Sequence, residues 1–314
     1  MVLPKEVTIV EVGPRDGLQN EQKMLSVEEK VRLIDSLSAT GLKKIEAASF
    51  VHPKAVPQMA DAEKVMKSIE RRAGTQYIAL VPNTVGARRA LDCGVDGLAF
   101  FVSASETHNL HNVRMSREAS LEEMAGVCAL AREAGVPVRS YIVTAFGCPF
   151  EGKTPEDTVV DLAARMFDMG ASEVCLGDTT GMANPLQVFN LFKRLAELFS
   201  PVRLAGHFHN TRGTALANVF AALQAGIATF DGAVGGSGGC PYAPGANGNV
   251  ATEDLVNMME DMGLSTGVDL DGLILCAKAA EAMLGRRLSS TVAQAGPTWR
   301  LHKAPGGETE NRAS

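Results

Sequence analysis

The chain has 314 residues, 46% of them hydrophobic, and carries 36 acidic against 30 basic side chains for a net charge of -6 with histidine neutral. That length allows one large domain, and the interspersed charges form no basic stripe of the kind that binds nucleic acid or an anionic membrane. Six cysteines, at 93, 128, 148, 175, 240 and 276, include no Cys-x-x-Cys pair, so neither a zinc knot nor a disulfide framework is indicated and a reducing cytosol fits.

The opening MVLPKEVTIV passes at once into a strand pattern, and no apolar run is long enough to span a bilayer. The expectation is a soluble, cytoplasmic chain without a signal or transit peptide. Strand-like runs rich in Val, Ile and aromatic residues follow at 7–14, 43–50, 76–82, 97–105, 137–146, 172–180, 202–210 and 229–236. Between them lie helical patterns such as SVEEKVRLIDSLSATG, TPEDTVVDLAARMFDMG, NPLQVFNLFKRLAELF and ALANVFAALQAG, several opened by a Ser/Thr cap or an early proline and closed by glycine. Eight strand and helix units at a spacing of about thirty residues match a closed (β/α)8 TIM barrel over residues 5–285 better than an open doubly wound sheet. Two further patterns, ATEDLVNMMEDMG and LDGLILCAKAAEAMLG, add C-terminal helices whose apolar stripes either cover the barrel or support a homo-oligomer. Residues 286–314 lose periodicity and gain Gly, Pro and charge, which predicts a tail that is flexible at its end.

In such a barrel the chemistry lies at the carboxyl ends of the strands. The segments there are GPRDGLQNE after the first strand, EAASF at the second, GDTTG at the sixth, HFHN at the seventh and GGSGGCPYAPGANGN at the eighth. Strand residues i and i+2 share a face, so His207 and His209 point together and Phe208 points apart. With Asp16 they make a mixed carboxylate and imidazole set, to which the amide oxygen of Asn249 adds a fourth donor. Such a set suits Mg, Mn or a similar divalent ion with positions left open for substrate. The competing reading makes Asp16 a helix cap and the histidines solvated rim residues. Arg15 offers a planar donor fork for an enolate or carboxylate, or else an ordinary ion pair with Asp16. Cys240 sits in a glycine-rich loop as a proton donor or nucleophile; Cys93, Cys128, Cys175 and Cys276 fall in core patterns, and Cys148 fits either class.

The segments VEVGPRDGLQNE (10–21), IEAASF (45–50), GCPFEG (147–152), LGDTTG (176–181), GGCPYAPGANGN (238–249) and ATEDLV (251–256) resemble, in order and over nearly the whole barrel, the 3-hydroxy-3-methylglutaryl-CoA lyases. The isopropylmalate and homocitrate synthases and the carboxyltransferase part of pyruvate carboxylase share the barrel more distantly. The resemblance implies a divalent metal on Asp16, His207, His209 and Asn249, with Arg15 and Cys240 at the reacting centre and Asp16 or His207 as base. It places Glu46 beside them, Asp178 and Glu253 as supports, and Gln19, Ser49, Asn112 and Thr179 as substrate or supporting contacts. The implied reaction is cleavage of the acyl-CoA to acetyl-CoA and acetoacetate, a step of leucine breakdown. Two departures bear on substrate: Asn210-Thr211-Arg212-Gly213 stands where animal enzymes carry Asp-Thr-Tyr-Gly, and serine stands where leucine often precedes Gly-Gly-Cys. The loop 104–116 and Arg212 are therefore places where a different group at carbon 3, as in an isohexenylglutaryl- or citramalyl-CoA, would be read. A Claisen-type synthase and a catalytically silent binding barrel are the remaining alternatives; the silent barrel predicts a missing reacting group, and none is missing.

Overall fold

In the computed structural model, residues 3–239 and 248–301 are described. The apolar runs form β1 (Thr8–Glu11), β2 (Lys44–Ser49), β3 (Gln76–Leu80), β4 (Gly97–Ser103), β5 (Val138–Val143), β6 (Glu173–Asp178), β7 (Leu204–Phe208) and β8 (Thr229–Gly232). Each pairs in parallel with the next, and β8 returns to β1 with Thr8 opposite Thr229 and Glu11 opposite Gly232, closing the barrel. The strands are shorter than the runs that encode them because each run also supplies the turn at the rim. Thus 229–236 splits into β8 and a tight turn, Val234–Gly236, in which Gly235 has φ 65°.

The barrel helices are α1 (Val27–Ser38), α2 (Ala62–Ser68), α3 (Thr84–Asp92), α4 (Glu106–Val113), α5 (Arg117–Ala134), α6 (Glu156–Met169), α7 (Pro185–Leu198) and α8 (Ala215–Gln224). Three more follow the last strand: α9 (Thr252–Asp261), α10 (Leu270–Leu284) and α11 (Val292–Ala295). Local chemistry sets their ends. Ser26 and Glu29 form a reciprocal capping box at α1, and Asn184 with Pro185 opens α7. Gly170 closes α6 in the left-handed region, whereas α7 runs out into extended Phe199 without a glycine. Residues 104–116 are not a loop. Ser105 accepts the His108 N–H at 3.0 Å and starts α4, which buries His108 and Asn109 and ends at left-handed Arg114. Two turns with polar residues on the buried side carry too little apolar periodicity to announce a helix.

The core has two unlike layers. Between strands and helices lies a continuous apolar shell that includes Leu33, Ile34, Phe50, Phe100, Phe192 and Phe230. Full burial of each such side chain contributes about 1.5–3 kcal/mol, so this shell holds the barrel closed. Inside the barrel the apolar residues form two small clusters, Leu80, Ala99, Tyr141, Cys175 and Ala205, and Val10, Val12, Ile78 and Ala233. Around them stand the buried polar side chains Glu46, Arg139, Glu173, His207 and Asp231. Among the described residues, no helix is long and apolar enough to cross a membrane.

Candidate active site

The rim is built around the end of β1. The carbonyl of Val12 accepts from three successive N–H groups, those of Arg15, Asp16 and Gly17, at 3.2, 2.7 and 3.2 Å. This turn packs directly on the last barrel loop: a Cβ on Gly17 would lie 2.2 Å from Ser237 Oγ and 3.1 Å from its Cβ, so a larger residue there must displace Ser237. Arg15 and Asp16 are thereby held over the barrel interior. The Arg15 guanidinium donates through Nε to Glu46 and through Nη1 to Asp16 Oδ1, the latter at 2.5 Å.

Asp16, His207 and His209 converge, with one ligand atom of each lying within 4.8 Å of the other two. His207 belongs to β7. His209 lies just past its end and forms an isolated antiparallel bridge with Asn249, so the seventh run stops one residue short of the second histidine. The imidazole centroids are 5.1 Å apart, and His209 Nε2 is 3.9 Å from Asp16 Oδ2. Asn249 joins the cluster through its amide nitrogen, which donates to Asp16 Oδ2 at 2.7 Å and to the Ser237 carbonyl at 3.2 Å. Rotation of that amide about its terminal bond exchanges oxygen for nitrogen at the same place.

The donor chemistry fits a divalent ion. Burial works against the Asp16 carboxylate, but Arg15 and His207 outweigh it and hold its pKa well below the usual range. Burial, reinforced by His207, pushes His209 down to about 4, so its imidazole is neutral near pH 7. Its Nδ1 is buried without a hydrogen-bond partner among the described residues. At His207 burial is outweighed by the hydrogen bond and charge of Asp231, and the pKa is raised. Nδ1 of His207 donates to Asp231 Oδ2 at 3.0 Å, which leaves Nε2 as the nitrogen with a lone pair to offer.

A buried network surrounds these groups. Glu46 is completely buried, and its Oε2 accepts the Tyr141 hydroxyl at 2.8 Å. Arg139 donates to Tyr141, to Glu173 and to both oxygens of Asp231. Of the other residues singled out in the sequence, Gln19 donates to Asp16 Oδ1 at 3.3 Å. Ser49 ends β2 with its hydroxyl buried and without a partner among the described residues, and Thr179 accepts the Thr144 N–H at 3.0 Å. Asp178 accepts the Met182 and Ala183 N–H groups on one oxygen, and the other has no partner among the described residues; burial pushes its pKa up to about 6. Glu253 stands behind the rim, where both its oxygens accept the Gly235 N–H.

Asn112 is exposed on α4, and no described hydrogen bond or ion pair joins it to this cluster. Cys240 lies outside the described residues. Cys148 is buried with Sγ 3.0 Å from Ser105 Oγ, a packed thiol at the foot of α4. Arg212 is held by the carbonyls of Thr180 and Gly181 at 2.7 and 3.2 Å.

Asp231, Arg139, Tyr141 and Glu11 escaped sequence reading. Glu11 accepts from Gly13, Val234 and Thr252 and so ties the Arg15 turn to the last loop. The available signal was a charged residue inside a strand run. Parallel barrel strands are otherwise near-continuously apolar, so an embedded charge at an inward position, as at Arg139 and Asp231, marks a polar lumen; Glu11 instead shares the outward face of Ile9 and meets α9 through Thr252.

The family model described as HMGL-like matches residues 6–279. Hydroxymethylglutaryl-CoA lyase YngG of Bacillus subtilis is 49% identical over 92% of this chain and 97% of its own length. The 3-hydroxy-3-isohexenylglutaryl-CoA/hydroxy-methylglutaryl-CoA lyase of Pseudomonas aeruginosa is 46% identical over 94% of this chain and 98% of its own. A solved HMG-CoA lyase from A. baumannii, in complex with coenzyme A and 3-methylmalate, superposes with a TM-score of 0.92 at 43% identity, covering 97% of this chain and 100% of that one.

Proposed function

This chain belongs to the HMGL-like family, and on that premise we propose that it is a carbon–carbon lyase that cleaves 3-hydroxy-3-methylglutaryl-CoA to acetyl-CoA and acetoacetate. The observation that carries this reading is the meeting of half-buried Asp16 with buried His207 and His209, with Arg15 locked beside them. Residues 5–285 form the catalytic unit, the acyl-CoA is its small-molecule partner, and its proposed setting is the cytoplasm and leucine breakdown.

A divalent ion, Mg or Mn, held by Asp16, His207, His209 and Asn249 would polarise the tertiary hydroxyl of the substrate and lower its pKa. The residues do the rest. A carboxylate oxygen of Asp16 turned away from the ion takes the hydroxyl proton, or Nε2 of His207 takes it instead of serving as a ligand. The electron pair left on that oxygen forms the ketone of acetoacetate as the carbon–carbon bond breaks, and the bonding pair passes to the thioester as its enolate. Arg15 sits on a fixed turn with its guanidinium oriented by Glu46, so its donors are preorganised for the enolate oxygen. Cys240 supplies the proton that the enolate carbon needs. Gln19, Ser49 and Thr179 line the rim as substrate contacts, with Asn112 further out on α4.

The test is release of acetoacetate and acetyl-CoA from the CoA ester with Mg or Mn and with EDTA, beside His207→Ala and Cys240→Ala. Turnover that needs metal and collapses in both variants supports the reading. The name of the P. aeruginosa relative gives a specific reason to assay 3-hydroxy-3-isohexenylglutaryl-CoA in parallel. A higher kcat/KM on that ester assigns the longer group at carbon 3, with the reaction unchanged.

A further inference from the structure

We infer that Arg139 is a positioning residue for the metal site, acting through Asp231 on His207. The inference rests on the metal-site reading above and concerns a residue that touches none of the proposed ligands. Asp231 is 2% exposed and sits in β8 next to β7. Its Oδ1 accepts Arg139 Nη2 at 2.7 Å, and its Oδ2 accepts both Arg139 Nη1 at 3.1 Å and His207 Nδ1 at 3.0 Å. A two-point fork fixes the plane of a carboxylate, whereas a single contact leaves it free to turn. The oxygen that meets the imidazole is therefore aimed by the guanidinium.

Arg139 is itself immobilised. Nε donates to Glu173, Nη1 also meets the Tyr141 hydroxyl, and its guanidinium carbon stands 4.8 Å from the centre of the Tyr141 ring. The Tyr141 hydroxyl passes on to Glu46, and Glu46 to Arg15. One guanidinium thus anchors both sides of the site, His207 through Asp231 and Arg15 through Tyr141 and Glu46. The chain of contacts runs from Asp16 through Arg15, Glu46, Tyr141, Arg139 and Asp231 to His207, and the gap between its two ends is the candidate metal position. Locking Nδ1–H of His207 onto Asp231 keeps the Nε2 lone pair directed into that gap.

A purely structural role would need only a positive charge against Asp231 and Glu173, and lysine supplies that. The positioning role needs the planar fork, which lysine lacks. The experiment is Mn2+ titration of the full-length protein and of Arg139→Lys, Asp231→Asn and the double variant. Alongside it, 15N spectra of the histidine rings in metal-free protein identify His207 by its loss in His207→Asn. Asp231→Asn should weaken Mn2+ by about 10- to 100-fold, the range for such outer contacts, and Arg139→Lys by several-fold; the double variant should bind no more weakly than Asp231→Asn. In the spectra His207 should hold its proton on Nδ1 in the native chain and move toward a mixture of tautomers in Arg139→Lys. The charge-balanced pair Arg139→Gln with Glu173→Gln repeats the comparison in a second background.

Native affinity and an unchanged His207 tautomer in these variants overturn the inference, as does a double variant whose loss is the product of the single losses. Absence of Mn2+ binding by the native chain would refute the metal-site reading instead, and the tautomer comparison would still decide the role of Arg139.

Discussion

The amide of Asn249 reaches the carboxylate of Asp16 at 2.7 Å across 233 residues of chain. One partner follows β1 and the other follows β8, and only closure of the barrel makes them neighbours. Asn249 also bridges to His209, so it braces two members of the triad at once. Asn249→Ala is expected to weaken Mn2+ binding by about 10- to 100-fold while the urea midpoint changes little. Calorimetric titration measures the first and denaturation the second; native Mn2+ affinity in the variant would remove Asn249 from the site.

Arg15 distinguishes charge from shape. Arg15→Lys keeps a cation beside Asp16 and Glu46 but loses the fork, and kcat is expected to fall by about 10²- to 10³-fold, as for loss of one oxyanion donor. Arg15→Met leaves two buried carboxylates without their partner and should also destabilise the fold by about 3–5 kcal/mol. Steady-state kinetics with urea unfolding separates the two. A lysine variant with native kcat would place Arg15 outside the reacting centre.

Burial pushes the carboxyl of Glu253 up to about 8 and that of Glu11 up to about 7, from an ordinary 4.5. Between pH 4.5 and 8 the folded chain therefore holds protons that the unfolded chain has released. The stability these groups support is fully present below pH 4.5 and is lost as pH rises through the folded values, by up to about 1.4 kcal/mol per pH unit for each proton. Glu253→Gln removes one of the two groups, so its unfolding free energy should fall less steeply than that of the native chain from pH 5 to 8. Urea melts across that range check the slope, and parallel lines would contradict the assignment.

Chelation offers a separate check on His207. EDTA should abolish turnover and added Mg or Mn should restore it. In His207→Ala, activity should fall by at least about 10²-fold even at saturating metal, since the variant loses either a ligand or the base. Full activity in EDTA-treated, metal-free protein would refute the metal reading.

At the start of α1, Ser26 accepts the Glu29 N–H at 3.2 Å while Glu29 accepts the Ser26 N–H at 2.8 Å. Ser26→Ala should cost about 1 kcal/mol without changing kcat. A loss of activity larger than the loss of folded protein would mean that α1 also positions the Gly13–Gly17 turn against which it packs.

The succession of strands and helices was legible from the sequence because β-branched runs, caps and glycine stops are local, and local periodicity dictates local geometry. The candidate ligands were legible for the same reason: His207 and His209 are two residues apart, and Arg15 and Asp16 directly follow a strand. Where the signal was weak, reading failed locally too, as in the polar two-turn helix at Glu106–Val113.

What only the tertiary structure decided is which side chains meet across the barrel. Arg139 and Asp231 are separated by 92 residues, and Tyr141 and Glu46 by 95. Their contact depends on how eight strands register around a closed ring, a property no single segment encodes. The same closure buries the charges of Arg139, Asp231, Glu46 and Glu173, and burial makes each contact obligatory, because a charge without a partner there would be too costly to keep. Sequence specified the donors of the candidate site, and the closed barrel specified their partners.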